Sequence, residues 1–459
     1  MRISPLNFYC FLIRRPISQL SDSIDIAPLV LYRILFSGLV VFGGLWSLAK
    51  KDLVLRFTEP QLYFSYWGES CIASVEAIWI YAAYSLWLLG GIGMLLGWIY
   101  RLSAFCFLLG FSYLHILDAT NYINHYYLIS ILGLFLLFLP AHRSFSLDLK
   151  LGRVTKLVTI PKWQLAVFKF QLLIVYTCAG IAKFHPDWFF DAMPMKIWLL
   201  QHQDFPILAN LFRQDWVHRM FSWGGLIFDF SIGFILWLGY FRVFFYLLLV
   251  LFHVLTGWLF DIGLFPPLMI ISALLFFPSQ FHRRILHFLT RFNKREEKYS
   301  ICSLKRSRWV ELAFILFFII QLFLPFRHHF LYTGNILWTE EGYRWSWRVM
   351  LVEKTGFCTF YVEDKDSEQV WQVDNRSFLT AFQEKRMSVR PDFIRQFAHH
   401  LATVYQKKEK LNRLPKVRVD AYVSLNGRAS QRLVDSNVDL AQQMSSIWKA
   451  DWILDLNPD

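Results

Sequence analysis

Residues 163–188, WQLAVFKFQLLIVYTCAGIAKFHPDW, combine a long apolar run with an ionisable group at its end. An apolar run of this length crosses the hydrocarbon core of a bilayer as an α-helix. The run reaches Lys183, and a His-Pro-Asp-Trp turn follows soon after it. A lysine at the end of a spanning helix either snorkels to the interface or, when it is held inside, marks a functional site. The stretch therefore predicts a membrane helix and makes Lys183 a candidate anchor or a candidate catalytic base.

The composition of the whole chain places this helix in a polytopic membrane protein. Of the 459 residues, 56% are hydrophobic and 19% are aromatic, and the mean hydropathy is +0.37. The net charge of +13 is interpreted by its position along the chain, because cytoplasmic loops of membrane proteins collect Lys and Arg. No nucleic-acid binding is expected. The six cysteines form no CxxC pair, so no zinc or thioredoxin-like site is predicted.

Apolar windows predict about nine transmembrane helices. The windows cover residues 26–49, 77–99, 102–118, 124–140, 163–183, 220–240, 243–260, 262–278 and 309–326. The segment 279–308 carries nine Lys and Arg against two acids, which places it in the cytoplasm. Arg14 and Arg15, before the first window, agree with this orientation, whereas Lys50 and Lys51 in the first outer loop do not. The N-terminus is therefore predicted inside and the C-terminus outside.

The composition changes after the last window. Residues 416–427, KVRVDAYVSLNG, alternate with the period of a half-buried strand, and residues 390–410 have the spacing of an amphipathic helix. The sequence thus predicts a polytopic α-helical membrane domain over residues 1–327, followed by a smaller exoplasmic α+β domain over residues 328–459. Cys71 and Cys358 are both predicted outside, so a disulfide between them is left open.

Ionisable residues inside the predicted spans are costly, and each is a candidate site. The topology places five of them in the exoplasmic half of the bundle: His115, Asp118, His125, Lys183 and His253. Their shared depth predicts one polar cavity. Outside this set, Arg33 is expected to snorkel. Asp229 is expected either to mark a site or to form an internal hydrogen bond or ion pair, for which Arg33 is a candidate partner.

Several separated motifs resemble those of vitamin K-dependent gamma-glutamyl carboxylase and its bacterial relatives. The motifs, in order, are NHYYLISIL (124–132), AGIAKFHPDW (179–188), FDFSIGF (228–234), FHVLTGWLFDIGLFP (252–266), GYRWSWRVM (342–350) and VSLNGRASQRLVDSNVDL (423–440). The resemblance covers residues 25–456 and implies a known chemistry. Vitamin K hydroquinone is oxidised by O2 to the epoxide, the oxygenated intermediate removes a γ-proton from a peptide glutamate, and the carbanion captures CO2.

The resemblance also assigns residues to roles. Lys183 stands where the family has the base that deprotonates the hydroquinone, and His125 stands where it has a functional histidine. The implied cofactor-binding residues are Asn124, Phe252 and His253. The implied substrate-binding residues, in a region that helps to hold glutamate, are Trp345, Trp347 and Arg348. No metal is implied.

The sequence departs from the family pattern at five positions. Ala182 replaces a second lysine, His185 replaces an Asp, and Pro186 is inserted in the turn. Trp345 replaces a Tyr and Arg348 replaces an acid, which affects the region that holds glutamate.

Elementary chemistry agrees with a base at Lys183. Burial among Ile181, Phe184 and Trp188 disfavours the ammonium form, which is how lysines become general bases. A carbanion and a strong oxygen base need a site that excludes bulk water. The isoprenoid tail of a quinol could stay in the bilayer while its head group enters such a site.

Three interpretations are open from the sequence. The first is a carboxylase-like enzyme that uses vitamin K hydroquinone or menaquinol, O2 and CO2, and acts on glutamate in an exported protein or peptide. The second is a quinol epoxidase without carboxylation. The third is a membrane transport or lipid-handling protein, against which the absence of internal repeats counts.

Overall fold

The computed structural model describes residues 20, 22–202, 208–289, 308–446, 448 and 450–457. Arg14, Arg15 and residues 290–307, which carry much of the predicted cytoplasmic charge, lie outside the described residues.

Most of the described chain is helical, and twelve helices are used below. They are α1 (Ala27–Lys50), α2 (Ala77–Leu96), α3 (Tyr100–Leu117), α4 (Asn124–Phe138), α5 (Trp163–Ala182), α6 (Asp215–Ile235), α7 (Arg242–Leu259), α8 (Phe265–Ala273), α9 (Ser279–Leu289), α10 (Arg308–Phe323), α11 (Ala381–Met387) and α12 (Pro391–Lys408). Shorter helices cover Asp52–Thr58, Leu147–Lys150, Pro186–Phe189, Met195–Leu200, Ala209–Phe212, His328–Leu331 and Ile336–Thr339. Single 3-10 turns cover Ala119–Asn121, Leu274–Phe276, Leu324–Phe326, Asn375–Ser377 and Leu440–Gln442.

Each of the nine predicted windows falls on helical structure, but nine spans are not confirmed. Six helices in the described ranges are long and apolar enough to cross a membrane: α1, α2, α3, α5, α7 and the helix over Trp309–Phe326. A seventh is added if Phe265–Phe276 and α9, which are bent by 116°, count as one span. Helix α4 has only 15 residues, which is about 22 Å of helix against a hydrocarbon core of about 30 Å. Helix α6 contains Asp215, Arg219 and Asp229, so it is more polar than the predicted window.

Helices α5 and α6 approach each other at backbone contact, and this approach positions the candidate site. A Cβ atom on Gly180 would lie 2.6 Å from the backbone nitrogen of Phe230. Only a glycine allows the two helices to come this close. The approach brings the end of α5, with Lys183, beside the middle of α6, with Asp229.

The C-terminal part of the described chain contains an antiparallel four-stranded sheet. The strands are β5 (Lys354–Glu363), β6 (Val370–Gln372), β7 (Lys416–Leu425) and β8 (Gln431–Arg432), in the order β6-β5-β7-β8. Along β7 buried and half-buried residues alternate, which confirms the predicted strand. Helix α12 confirms the predicted amphipathic helix, and its fully buried Phe393 and Phe397 belong to the same hydrophobic core as Phe360 of β5.

Four short strands form two smaller antiparallel sheets. They are β1 (Ser23–Asp25) paired with β4 (Thr159–Pro161), and β2 (Leu62–Tyr63) paired with β3 (Ile72–Ala73). The β1–β4 pair ties the segment before α1 to the segment before α5.

One expectation about a side chain is wrong, and the disulfide left open between Cys71 and Cys358 is not formed. Arg33 does not snorkel, because it is completely buried and its Nη2 donates to the carbonyl oxygen of Phe145 at 2.5 Å. Cys71 and Cys358 are free thiols rather than a disulfide. Cys358 is buried under α11, where its Sγ contacts the carbonyl oxygen of Ser388.

Candidate active site

Lys183 forms the C-terminal cap of α5 and is buried, with 4% of its surface exposed. Its Nζ donates to Asp229 Oδ2 at 2.8 Å and to the carbonyl oxygens of Ala179 at 3.3 Å and Val349 at 3.4 Å. The ammonium group also lies 5.2 Å from the ring centre of Trp188. The anchor interpretation therefore does not describe Lys183. Asp229 forms the internal ion pair that was one of its two predicted roles, with Lys183 rather than with the candidate partner Arg33.

A small cavity of about 70 Å³ opens beside this ion pair. Its walls are mostly apolar and come mainly from α5, α6, α7, the start of α8 and residues 349–350. Phe252 lines it and stacks on Phe228, with ring centres 3.8 Å apart. His253 also lines it, and a 2.7 Å hydrogen bond joins its Nε2 to the hydroxyl of Tyr176. The structure therefore brings together Lys183, Phe252 and His253.

His125 lies behind the wall of this cavity. Its ring centre is 6.1 Å from that of Phe265, and Phe265 is in turn 5.8 Å from His253. The ring of Tyr126 lies 4.6 Å from His125 and 4.1 Å from His115. The ring of Phe265 thus lies between His125 and the cavity, and His115 does not line the cavity.

Asp118 belongs to a different place in the fold. Its Oδ2 accepts from Gln383 Nε2 at 2.9 Å, and its Oδ1 accepts from the backbone nitrogens of Thr120 and Phe64. The five ionisable residues predicted at one depth therefore do not share one cavity. Asp118 instead connects the end of α3 to α11.

Asn124 holds the segment 342–350 rather than facing the cavity. Its Nδ2 donates to the carbonyl oxygen of Arg348 at 2.9 Å, and its Oδ1 accepts from the hydroxyl of Tyr122 at 2.9 Å. The segment contains three non-glycine residues with positive φ: Trp345 (59°), Trp347 (55°) and Met350 (53°). Such backbone is rare outside glycine and costs about 1–3 kcal/mol per residue, so the surrounding contacts must hold it.

The three predicted substrate-binding residues occupy different environments. Trp345 stacks against Trp67 and Tyr66, with ring centres 5.4 Å and 5.9 Å apart. Trp347 is buried and stacks on Tyr127 at 5.1 Å. Arg348 is buried as well, and burial together with the charge of Arg327 lowers the pKa of Arg348 to about 10. Of the three, Trp345 alone lines a larger cleft that is open at the protein surface and is called the outer cleft below.

That outer cleft has a volume of about 410 Å³ and is rich in arginine. Arg344 pairs with Asp392 at 2.6 Å, and Arg390 pairs with Glu340 at 2.9 Å. Burial raises the pKa of Glu340, but the charges of Arg390 and Lys354 outweigh it and hold that pKa below its usual value.

Arg327 differs from the other arginines of the cleft. It donates to the carbonyl oxygens of Leu324 and Arg344 and lies 5.9 Å from the ring centre of Trp345. Within the described ranges, no carboxylate lies at ion-pair distance from it. The segment 342–350 contains Arg344, whose carbonyl oxygen Arg327 binds. Its last residues, Val349 and Met350, line the Lys183 cavity. The segment therefore connects the outer cleft to the buried ion pair.

Sequence patterns missed two features of this site. Nothing in the sequence marked Tyr176 as a site residue, because a tyrosine in an apolar helix is ordinary. Asp229 had a signal, since a carboxylate within a span is costly, but its partner could not be chosen from the sequence. In the part of the chain that the structure describes, no cluster of three His, Cys, Asp or Glu residues could hold a metal ion.

Two family models match the chain. The HTTM domain model matches residues 22–281, which is more than half of the sequence. The model of the vitamin K-dependent gamma-carboxylase lumenal domain matches residues 306–459. No solved structure matches the chain. The two matches confirm the resemblance carried by the motifs, and the chain belongs to the vitamin K-dependent gamma-glutamyl carboxylase family.

Proposed function

We propose that this protein oxidises vitamin K hydroquinone or a related menaquinol to its epoxide and uses that reaction to carboxylate glutamate in an exported protein or peptide. Membership of the family supports a carboxylase-like function. The observation that carries the specific chemistry is the buried ion pair of Lys183 and Asp229 in an apolar cavity. A cavity of this kind offers a proton acceptor that is shielded from bulk water.

The quinol head group would enter the cavity beside Lys183. At about 70 Å³ the cavity has to widen to admit a ring system. Met195 and Met350 lie in its wall, and methionine side chains are flexible enough to move aside. The isoprenoid tail would remain among the apolar helices and the lipid.

His253, Tyr176 and His125 would shape the site around the reacting ring. The His253–Tyr176 hydrogen bond fixes both side chains at the cavity wall. His125, one ring behind the wall, would orient the oxygenated substrate through a small movement of Phe265. The aromatic surroundings exclude water, which would otherwise quench a strong oxygen base.

The glutamyl substrate would approach through the outer cleft. Arg327 offers a guanidinium group without a described carboxylate partner beside Trp345, and guanidinium groups bind carboxylates well. The segment 342–350 would then lead toward the Lys183 cavity. The C-terminal part of the chain would lie on the exoplasmic side, where exported proteins are met, with the N-terminus in the cytoplasm.

The test uses the purified full-length chain in lipid nanodiscs. It receives vitamin K hydroquinone, O2, labelled bicarbonate and a glutamate-containing peptide, and epoxide and peptide-bound label are measured separately. We expect both products in the presence of peptide. Epoxide without label would replace the proposal by a quinol epoxidase, and failure to bind quinol or to form either product would reject it.

A further inference from the structure

The ion pair of Lys183 and Asp229 lines the cavity, and it determines which atom can hold the proton that a quinol hydroxyl releases. Lys183 and Asp229 are both almost completely shielded, with 5% and 13% of their side-chain surfaces exposed. Two ionisable groups joined by a hydrogen bond in such surroundings share their protons, so the number of protons on the pair matters more than the proton on either atom.

The pair is stable with a net charge of zero, because a single unpaired charge in an apolar cavity is costly. Zero charge means one shared proton. The pair is then either an ammonium beside a carboxylate or a neutral amine beside a carboxylic acid. The other ionisable groups that line the cavity are Tyr176 and His253, and they are hydrogen-bonded to each other rather than to the pair. Among the described residues that line the cavity, no further cation therefore compensates a pair that has lost its last proton.

When a quinol hydroxyl gives up its proton to this pair, the pair carries two protons. One is on the amine, which becomes or stays an ammonium beside the new quinol anion. The other has only the carboxylate oxygen to occupy. The O–H bond of the quinol breaks, and one new bond to hydrogen forms on the pair. It is an O–H bond on Asp229 if the shared proton was on the amine, or an N–H bond on Lys183 if it was on the carboxylic acid. Either way the pair ends as an ammonium beside a carboxylic acid, and the total charge of the cavity is unchanged.

We infer that Asp229 is the residue that carries the second proton once the quinol has been deprotonated, and that Lys183 provides the adjacent positive charge. The inference rests on the proposed function and deepens it, because it assigns the base to a pair of side chains rather than to one lysine. Asp229 itself lines the cavity, 2.8 Å from Lys183 Nζ.

The test compares Asp229→Asn, Asp229→Glu and wild type for epoxide formation across a range of pH. If Asp229 carries the proton, Asp229→Asn loses about 100-fold or more of the rate, as expected for the loss of a general base. High pH does not restore it, and Asp229→Glu keeps a measurable fraction. If Lys183 acts alone, removal of its counter-ion frees the amine, and Asp229→Asn regains the wild-type rate at high pH. That result would overturn the inference.

A second measurement covers the case in which Asp229→Asn folds poorly. Infrared spectra of the wild-type protein with bound quinol should contain a carboxylic acid band that moves in Asp229→Glu. A wild-type spectrum without such a band contradicts the inference. Wild-type protein that binds quinol but forms no epoxide would reject the proposed function as well, whereas equal epoxide formation by wild type and Asp229→Asn would reject only the role of Asp229.

Discussion

Arg428 donates hydrogen bonds to Asp187 from both terminal nitrogens of its guanidinium group, at 2.7 Å and 2.9 Å, although the two residues are 241 positions apart in the sequence. Asn426 adds a third hydrogen bond to Asp187, at 2.8 Å. Asp187 lies four residues after Lys183, and Arg428 follows β7 of the C-terminal sheet. This contact fastens the end of the helix that carries Lys183 to the C-terminal part of the chain.

Replacement of Asp187 by Asn should destabilise the protein by about 2 kcal/mol at neutral pH, because the buried side chain loses its charged hydrogen bonds. Burial raises the pKa of Asp187, but the bonds from Arg428 and Asn426 outweigh it and hold that pKa below its usual value. A carboxyl with a lowered folded pKa contributes stability above its unfolded pKa of about 3.9 and loses it as the pH falls through the folded pKa. The difference in Tm between wild type and Asp187→Asn should therefore be full at pH 7 and shrink in acid.

An exposed ion pair on the four-stranded C-terminal sheet is the control for this prediction. Asp420 and Arg432 are 3.3 Å apart and 36% and 40% exposed. Exposed pairs contribute about 0–1 kcal/mol, so Asp420→Asn should change Tm little. Equal losses in the two variants would contradict the importance of the Asp187 contact.

The approach of α5 and α6 should be sensitive to one methyl group. Gly180→Ala places a Cβ atom 2.6 Å from the backbone of Phe230, and the resulting overpacking should cost about 1–3 kcal/mol. The helices must separate, so the Lys183–Asp229 contact should lengthen and epoxide formation should fall. Both Tm and the epoxidation rate measure this effect.

Gly224, in the partner helix α6, provides the matched variant. A Cβ atom there meets nothing within 4 Å, and Ala is a better helix former than Gly by about 1 kcal/mol. Gly224→Ala should keep the wild-type rate and a Tm at or above that of wild type. A loss of rate in Gly224→Ala as large as in Gly180→Ala would argue against the close contact at Gly180 as the cause.

Lys183→Ala should lose epoxidation by about 100-fold or more, and a small primary amine added to the assay should partly restore it. Lys169 in the same helix is the control, because its ammonium group lies over the rings of Trp237 and Phe276 at 5.6 Å and 5.4 Å, away from the cavity. Lys169→Ala should retain most of the rate. Unchanged epoxidation in Lys183→Ala would remove the lysine from the mechanism.

Arg327→Ala should raise the KM for the glutamyl peptide by about 10-fold, which corresponds to one lost charge-assisted contact of about 1.4 kcal/mol. Epoxide formation without peptide should be unchanged, since Arg327 does not line the Lys183 cavity. Arg376, exposed and paired with Glu384 outside the cleft, is the control. A KM that stays at the wild-type value in Arg327→Ala would show that the peptide binds elsewhere.

Local sequence patterns were sufficient for the long apolar helices and for two elements of the C-terminal part, α12 and β7. Apolar windows located the helices, because the preference of a helix for lipid is the sum of its own side chains. The alternation in residues 416–425 located β7 for a similar reason. The same patterns overestimated the number of spans, since hydropathy does not register that α4 ends after 15 residues or that the chain bends by 116° before α9. Family motifs in the sequence pointed to Lys183, Phe252 and His253 as neighbours of one site.

The partners of these residues were decided only by the packing of the helices. Asp229 is 46 residues from Lys183, and nothing in either local sequence selects that pairing over one with Arg33. Gly180 decides the pairing of Lys183 with Asp229, because a glycine lets the backbones of α5 and α6 come into contact beside these two residues. Asn124 and Arg348 come together across 224 residues in the same way. Hydropathy and periodicity act along the chain, whereas ion pairs and cavities depend on distances between elements, and those distances exist only after the helices have packed.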